Sequence, residues 1–288
     1  MPAPYRSILM LAAMLPAAVL LVSPAASMAG TPPQATAEAA ANAPAARTPP
    51  LKVAAGDVFV QHDDSGAWHP IEILLVDTMA DGTPFVHVRV FNDARTRPDL
   101  ATAKALGVRT AHAQVLASMF EKGWERIGHA PPTKTELAPL LADLKFADFP
   151  KYLKLTGENP DLLAKAASEH YDRAVALSDQ GHRDEAIAEY SRAINTFPLF
   201  FEAFDNRGWL FLDAGRPKDA LADFDSSLAV NPEGDGALLG KAECLLKLGQ
   251  PAQAEKLFGE GVKRFPKLKE RFEQGLEEVR KAQAGGGK

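Results

Sequence analysis

The sequence predicts an α+β multidomain protein, in which a small antiparallel, barrel-like β domain precedes an α-helical superhelix with a C-terminal capping helix. Three observations predict this class. Short alternating segments joined by tight turns occupy residues 51–130, a 34-residue pattern recurs over residues 167–268, and an amphipathic segment follows at residues 269–283. With 288 residues, the chain is long enough for two domains that each bury a core.

The N-terminus, residues 1–29, has the pattern of a secretory signal peptide. Arg6 precedes an apolar run over residues 8–22, and the small side chains of Ser27 and Ala29 suit a signal peptidase. The run is shorter than the roughly 20 residues that a membrane-spanning helix needs. We therefore expect Sec-type export to the periplasm or the medium, with cleavage after Ala29 and no membrane span in the mature chain.

Two terminal segments have little to bury. Residues 30–50 consist mainly of Ala, Pro and Thr, which predicts a disordered linker, and residues 284–288 are expected to form a disordered tail. Cys244 is the one cysteine in the sequence, so the chain cannot form an internal disulfide. We expect its thiol to be buried in a helix.

The composition argues against nucleic-acid binding. The net charge is −5, and no basic cluster with interleaved aromatic residues appears along the chain. Phosphate neutralisation needs a concentrated Lys and Arg face. We therefore expect a protein or peptide partner rather than DNA or RNA.

The β domain is predicted from its periodicity. "GDVFVQ", "WHPIEILLVDT" and "PFVHVRVFN" are expected to form three strands, joined by turns at residues 63–66 and at Asp81-Gly82. In the third strand Val86, Val88 and Val90 share one face, opposite Phe85, His87, Arg89 and Phe91. "VRTAHAQVLA" and "GWERIGHA" are expected to add two shorter strands. The strand count and hairpins resemble an SH3-type barrel.

Residues 131–166 are expected to form a helical connector. Thr135 is the predicted N-cap of its first helix, and Pro150 is expected to begin or bend a second short helix.

The repeated pattern divides into residues 167–200, 201–234 and 235–268. A small residue stands at the eighth position, Gly at the fifteenth, an aromatic residue at the twenty-fourth and Pro at the thirty-second. The small residue allows two helices to approach closely, and Gly provides a left-handed residue at a helix end. The aromatic residue fills the space between helices, and Pro stops the second helix. The aligned residues are Ala174, Gly208 and Ala242; Gly181, Gly215 and Gly249; Tyr190, Phe224 and Phe258; Pro198, Pro232 and Pro266.

In length and pattern these units resemble the tetratricopeptide repeat family, whose unit is a helix-turn-helix. The last segment, with Phe272, Leu276 and Val279 on one side, matches a capping helix that covers the final repeat.

The resemblance implies that a partner lies in the concave groove lined by the first helices. We expect an extended or helical peptide with apolar anchors, flanked by Lys or Arg. An alternative is that Trp209 is covered within the chain, by the connector, the N-terminal domain or the Ala/Pro-rich segment. The family's groove positions fall on Tyr171, Val175, Glu202, Asp205, Trp209, Leu212, Asp213, Leu239, Glu243 and Leu246.

One subclass of the family clamps the C-terminal carboxylate of cytosolic chaperones with basic and Asn side chains. Of the clamp positions, Asn206 alone matches here, and the third unit holds Gly236 and Gly240 where the basic pair would stand. Without that pair a carboxylate has little attraction, so chaperone clamping is not expected.

No catalytic, cofactor or metal motif is apparent, and the protein is not expected to be an enzyme. His87, His112 and His129 lie on or near predicted strands and are able to converge, although they show no metal-binding spacing. We expect an exported protein that mediates protein–protein interaction or scaffolding in a bacterial cell envelope. The alternatives are cell-wall peptide or glycan binding by the β domain, which carries Trp68 and Trp124, and self-association through the repeats.

Overall fold

The computed structural model describes residues 53–285, and its contacts divide the chain into two units between Leu144 and Lys145. The predicted signal peptide and linker lie outside the described residues. So do the last three residues of the predicted tail. We call residues 53–144 the β unit and residues 145–285 the helical unit. An antiparallel sheet followed by helices confirms the predicted α+β class.

The β unit contains one five-stranded antiparallel sheet with the order β4-β3-β2-β1-β5. The five predicted strands are all present, and a 3-10 turn at Ala117–Glu121 separates the last two. The strands are β1 (Asp57–His62), β2 (Trp68–Thr78), β3 (Pro84–Phe91), β4 (Val108–Leu116) and β5 (Glu125–His129).

Both predicted turns form where short polar side chains and Gly stand between strands. The Asp63 carboxylate accepts hydrogen bonds from the backbone N–H groups of Ser65 and Ala67, each at 2.9 Å. Gly82, in the second turn, has φ of 86°, in the left-handed region that Gly accepts without steric cost.

The two faces of β3 are both buried, but by different chemistry. Val86, Val88 and Val90 lie in the apolar core of the β unit, as the alternation predicts. On the opposite face, Arg89 is 8% exposed and donates a hydrogen bond of 2.6 Å to Glu136. This second face is therefore covered through ion pairs rather than by apolar packing alone.

Two helices accompany the sheet in this part of the chain, α1 (Leu100–Ala105) and α2 (Lys134–Ala147). The predicted N-cap at Thr135 is wrong. Glu136 N–H donates to Thr133 Oγ1, and Thr133 N–H donates to the Glu136 carboxylate at 2.7 Å. This is a reciprocal capping box that starts the helix two residues earlier. The predicted role of Pro150 is confirmed, since it lies in the first turn of α3 (Phe149–Thr156).

The helical unit continues as an alternation of first and second helices. The first helices are α4 (Pro160–Asp179), α6 (Phe201–Asp213), α8 (Asp235–Lys247) and the terminal α10 (Lys269–Gly285). The second helices are α5 (Arg183–Thr196), α7 (Pro217–Val230) and α9 (Pro251–Arg264). Helix α4 begins at Pro160, before the predicted start of the first repeat at residue 167, and α10 extends past the predicted end of the capping helix at residue 283, to Gly285.

The conformation and burial of the repeated residues agree with the roles predicted for them. Gly181, Gly215 and Gly249 all have positive φ and each follows the end of a first helix. A Cβ on Gly208 would meet the Phe224 ring at 3.0 Å, so the small residue permits close approach of α6 and α7. The three aromatic residues at the twenty-fourth position are at most 2% exposed: Tyr190, Phe224 and Phe258.

The predicted capping helix is present as α10. Phe272 and Val279 are fully buried and Leu276 packs beside them, against the core that also contains Phe258. The opposite side of α10 carries exposed charged residues. No helix within residues 53–285 is long and apolar enough to cross a bilayer.

Candidate functional site

The first helices lie next to one another as well as next to their own second helices. Asn206 of α6 donates a hydrogen bond of 2.9 Å to the Tyr171 hydroxyl of α4, and α8 contacts both α6 and α10. These helices therefore share one surface. We call this surface, formed by α4, α6, α8 and α10, the first-helix face.

At the α4 side of this face, Tyr171 is held in a fixed position. Its ring stacks on Phe200 with centroids 4.9 Å apart, and it meets the Tyr190 ring edge-on at 5.6 Å. Asn206 also donates to the Tyr190 hydroxyl at 3.2 Å. Asn206, which matches a position of the carboxylate clamp, thus uses its amide to donate to two tyrosine hydroxyls of this chain.

At the centre of the face, Trp209 is half-buried. Its ring packs edge-on against Phe224 at 5.2 Å, and the guanidinium of Arg271 lies 5.7 Å from its centroid. Among the described residues, the side chain over this ring therefore comes from α10. The sequence had suggested the connector, the N-terminal domain or the Ala/Pro-rich segment instead. When the family's groove positions are continued onto α10, they fall on Glu270 and Glu273 and not on Arg271.

At the α10 side, a cavity of about 260 Å³ lies between α8 and α10. Its lining is mostly charged and polar: Glu243, Leu246, Lys247, Arg271, Gln274, Gly275 and Glu278. Burial raises the pKa of the Glu243 carboxyl, and the Arg271 guanidinium opposes that shift. Arg271 Nη2 is 3.9 Å from Glu243 Oε1. The lining of the cavity therefore contains acidic and basic side chains together.

Two of the predicted groove residues do not lie on the surface. Leu212 is 6% exposed and Leu239 is 1% exposed, and both pack in the core between helices. This corrects the predicted apolar stripe. The family's spacing rule predicts which face of a helix a side chain lies on. Packing against the neighbouring helices decides whether that side chain is buried. The other eight reach solvent to different extents: Tyr171, Val175, Glu202, Asp205, Trp209, Asp213, Glu243 and Leu246.

Asp205 is the most unusual carboxylate on this face. Burial raises its pKa, the hydroxyl of Ser227 opposes that shift, and the carboxylates of Glu202 and Asp235 add to it. Ser227 lies beside it and is fully buried. Among the described residues, neither Asp205 Oδ1 nor Ser227 Oγ makes a hydrogen bond of normal geometry.

Arg207, on the other side of α6, is engaged within the repeat. Its Nε and Nη2 donate to the two oxygens of Asp223 at 2.8 and 2.7 Å, and Nη1 donates to Ser191 Oγ at 2.8 Å. A bidentate pair of this kind is strong and geometrically specific. The guanidinium is therefore held against the second helices.

Three histidines of the β unit lie on or near strands, where the sequence allows them to converge. His87 and His112 do converge, with His87 Nδ1 2.8 Å from His112 Nε2, whereas His129 Nδ1 lies 3.0 Å from Asp57. Within residues 53–285, no group of three or more His, Cys, Asp or Glu side chains is arranged to hold a metal ion. The two aromatic candidates, Trp68 and Trp124, are half-buried.

Comparison with known protein families identifies part of the helical unit. Residues 211–275 match the family model of the tetratricopeptide repeat. The chain contains a tetratricopeptide repeat region. The match covers part of the second predicted repeat, the third predicted repeat and the beginning of α10.

Several solved structures resemble part of the chain at low identity. The first such domain of RPAP3, bound to an HSP90 peptide, is 19% identical, with a TM-score of 0.40 over 42% of this chain and 95% of that one. Sgt2 from Aspergillus fumigatus is 16% identical, with 0.39 over 42% and 81%. Yersinia enterocolitica SycD, in complex with a peptide of YopD, is 18% identical, with 0.39 over 41% and 95%. No curated protein matches the chain.

Proposed function

We propose that this is an exported, non-enzymatic interaction protein, which binds a peptide segment of another cell-envelope protein on its first-helix face and thereby recruits or scaffolds that protein. The observation that carries the proposal is Trp209, a half-buried ring at the centre of a face formed by successive first helices. Partly exposed aromatic residues of this kind are enriched at the centres of protein interfaces.

The surroundings of Trp209 support a peptide ligand. Tyr171 lies to one side of it and Leu246 to the other, and both side chains are half-buried. Apolar anchors spaced along a surface of stacked helices suit an extended or helical segment. The solved domains of RPAP3 and SycD are complexes with peptides, which is consistent with this mode of binding.

The ligand is proposed to differ from a chaperone C-terminus. In this chain Asn206 is occupied by Tyr171 and Tyr190, and Gly236 and Gly240 stand where a basic pair would be needed. A face without that pair has little attraction for a terminal carboxylate.

Binding of a cell-wall peptide or glycan by the β unit has less support. Trp124 packs against the apolar core, and Trp68 contacts His62 with ring centroids 4.7 Å apart. In the β unit as described, residues 53–144, no aromatic residue is among the large exposed hydrophobic side chains.

Export is proposed from the N-terminal pattern alone. Fractionation of the source cells and N-terminal sequencing of the mature protein test it, and the expected first residue is Gly30. A cytoplasmic protein that retains residues 1–29 would contradict this part of the proposal.

Site-specific photo-crosslinking tests the binding face. A photoreactive amino acid is placed at Glu202 or Asp213 on the first-helix face, and at the exposed Asp225 or Ala229 of α7 as matched controls. The proposal expects a discrete adduct with another protein from the first two positions only. Equal adducts from all four positions would contradict it. An adduct with a second copy of this chain would indicate self-association instead.

A further inference from the structure

The charges on the first-helix face are distributed unevenly. Helix α6 carries Glu202, Asp205 and Asp213, and its one basic residue is Arg207. Because Arg207 is held by Asp223 at 2.7 and 2.8 Å, it does not neutralise these carboxylates. The α6 part of the face is therefore acidic.

The neighbouring helix α4 does not compensate this charge. The guanidinium of Arg173 is directed to α5, where its Nε donates to Glu189 at 3.4 Å. The phenol of Tyr171 has its pKa raised by burial, and the carboxylates of Glu202 and Asp205 add to that shift. These two carboxylates thus act on the part of the face that lies between α4 and α6.

Asp205 has no cationic partner in this part of the face. Burial raises its pKa, and the hydroxyl of the buried Ser227 opposes that shift, but among the described residues no Lys or Arg pairs with the carboxylate and its Oδ1 makes no hydrogen bond of normal geometry. A cation that approaches this carboxylate favours its charged form.

The other part of the same face shows how such a carboxylate is satisfied. Arg271 places its guanidinium 5.7 Å from the centroid of Trp209 and 3.9 Å from Glu243. Here a basic side chain lies over an aromatic ring beside a half-buried carboxylate, an arrangement that favours a guanidinium. Between α4 and α6 the aromatic ring and the carboxylates are present, in Tyr171 and Asp205.

We infer that the peptide bound on the first-helix face is basic: it places Lys or Arg side chains between α4 and α6, against Glu202 and Asp205, and apolar side chains against Tyr171 and Trp209. The inference rests on the proposed function, because it specifies the chemistry of the same ligand. The resemblance predicted apolar anchors flanked by Lys or Arg in general, whereas the structure assigns the basic residues to one part of the face.

Synthetic peptides test the inference on the mature chain, residues 30–288. The probes are fluorescent 12-residue peptides with degenerate interiors and two fixed Leu residues four positions apart. Their flanking positions hold only Lys, only Gln or only Glu, and a further set replaces both Leu residues with Ala. Binding is measured by fluorescence anisotropy at low and at physiological salt, because exposed charge pairs weaken as salt increases.

The Lys-flanked Leu peptides are expected to bind about tenfold more tightly than the Gln-flanked set, since hydrogen bonds to charged groups are stronger than neutral ones. The double variant Glu202→Gln and Asp205→Asn should lose most of that preference. The control variant Asp184→Asn and Glu255→Gln removes two carboxylates from second helices, and it should keep the preference. The Ala peptides should bind weakly to every variant.

Each outcome decides a different point. If all flanks bind equally, or if the control variant loses the preference as strongly, the basic ligand is wrong while the proposed binding face stands. If the Ala peptides bind as well as the Leu peptides, the attraction is unspecific and the inference is wrong. If no peptide binds, the inference also fails, and the crosslinking result decides separately whether the face binds a protein.

Discussion

At the residue scale, the helical unit depends on a few polar side chains placed between helices. The pair of Arg207 and Asp223 is the clearest case, with side chains that are 17% and 7% exposed. Burial raises the pKa of Asp223, and the guanidinium opposes that shift. The carboxylate is therefore held in its charged form mainly by one partner.

Replacing Arg207 by Met should reduce the free energy of unfolding by about 3 kcal/mol, because it leaves Asp223 buried without its cation. In the variant the folded-state pKa of Asp223 lies further above its unfolded value, so the loss should shrink as the pH falls through that pKa. Urea unfolding, followed by circular dichroism between pH 5 and 8, measures both effects. The double variant with Asp223→Asn is the control and should recover part of the loss. A pH-independent loss would contradict the assignment.

Cys244 offers a second test at this scale. The side chain is fully buried, and burial raises the pKa of its thiol to about 12. Labelling of the native protein by a thiol reagent should be at least about a hundredfold slower than labelling in urea, because the thiolate is the reacting form. A control chain with Cys244→Ser and Ala252→Cys, an exposed position, should label rapidly without urea. Rapid labelling of native Cys244 would contradict its burial.

At the element scale, glycines inside helices set the distances between them. Gly261 and Gly259 both lie in α9, but a Cβ on Gly261 would collide with the Phe272 ring of α10, whereas one on Gly259 meets nothing within 4 Å. The two positions are therefore a matched pair within one helix.

Gly261→Ala should destabilise the helical unit by about 1–3 kcal/mol through overpacking against Phe272. Gly259→Ala should instead stabilise it, by up to about 1 kcal/mol, because Ala has the higher helix propensity. Thermal unfolding of the two variants beside the original chain measures the difference. Similar effects of the same sign would show that α10 does not pack closely against α9.

At the scale of the whole molecule, the two units have separate apolar cores. The core of the β unit is drawn from residues 59–120, together with partly buried side chains such as Trp124. The C-terminal core of the helical unit depends on α10 for Phe272 and Val279. A terminal helix that supplies buried residues is required for the stability of the last repeat.

Removing residues 269–288 should lower the melting temperature of the helical unit by about 5–15 °C, since the loss of two buried apolar side chains costs several kcal/mol. Differential scanning calorimetry of the shortened chain measures this change. The transition of the β unit should be unaffected. A control chain that ends at Gly285 should melt like the full chain, and an unchanged helical transition in the shorter chain would contradict the capping role.

The sequence by itself determined the five strands, the repeat helices and their order, but not the short helix α1. Period-two alternation and turn residues such as Gly82 predict the strands, and the 34-residue recurrence predicts the helix pairs, because both depend on interactions between residues close in sequence. The positions of Gly181, Gly215 and Gly249 followed in the same way. The side chains along one helix were likewise assigned to one face from spacing alone.

Only the tertiary structure decided which of those side chains remain accessible and what they contact. Leu212 and Leu239 have the spacing of groove residues yet are buried, whereas Arg271 has no such spacing and lies over Trp209. Asn206 likewise matched a clamp position and turned out to bond two tyrosines. Accessibility and charge balance arise where separate helices meet, and the distance between those helices depends on packing that no single segment encodes.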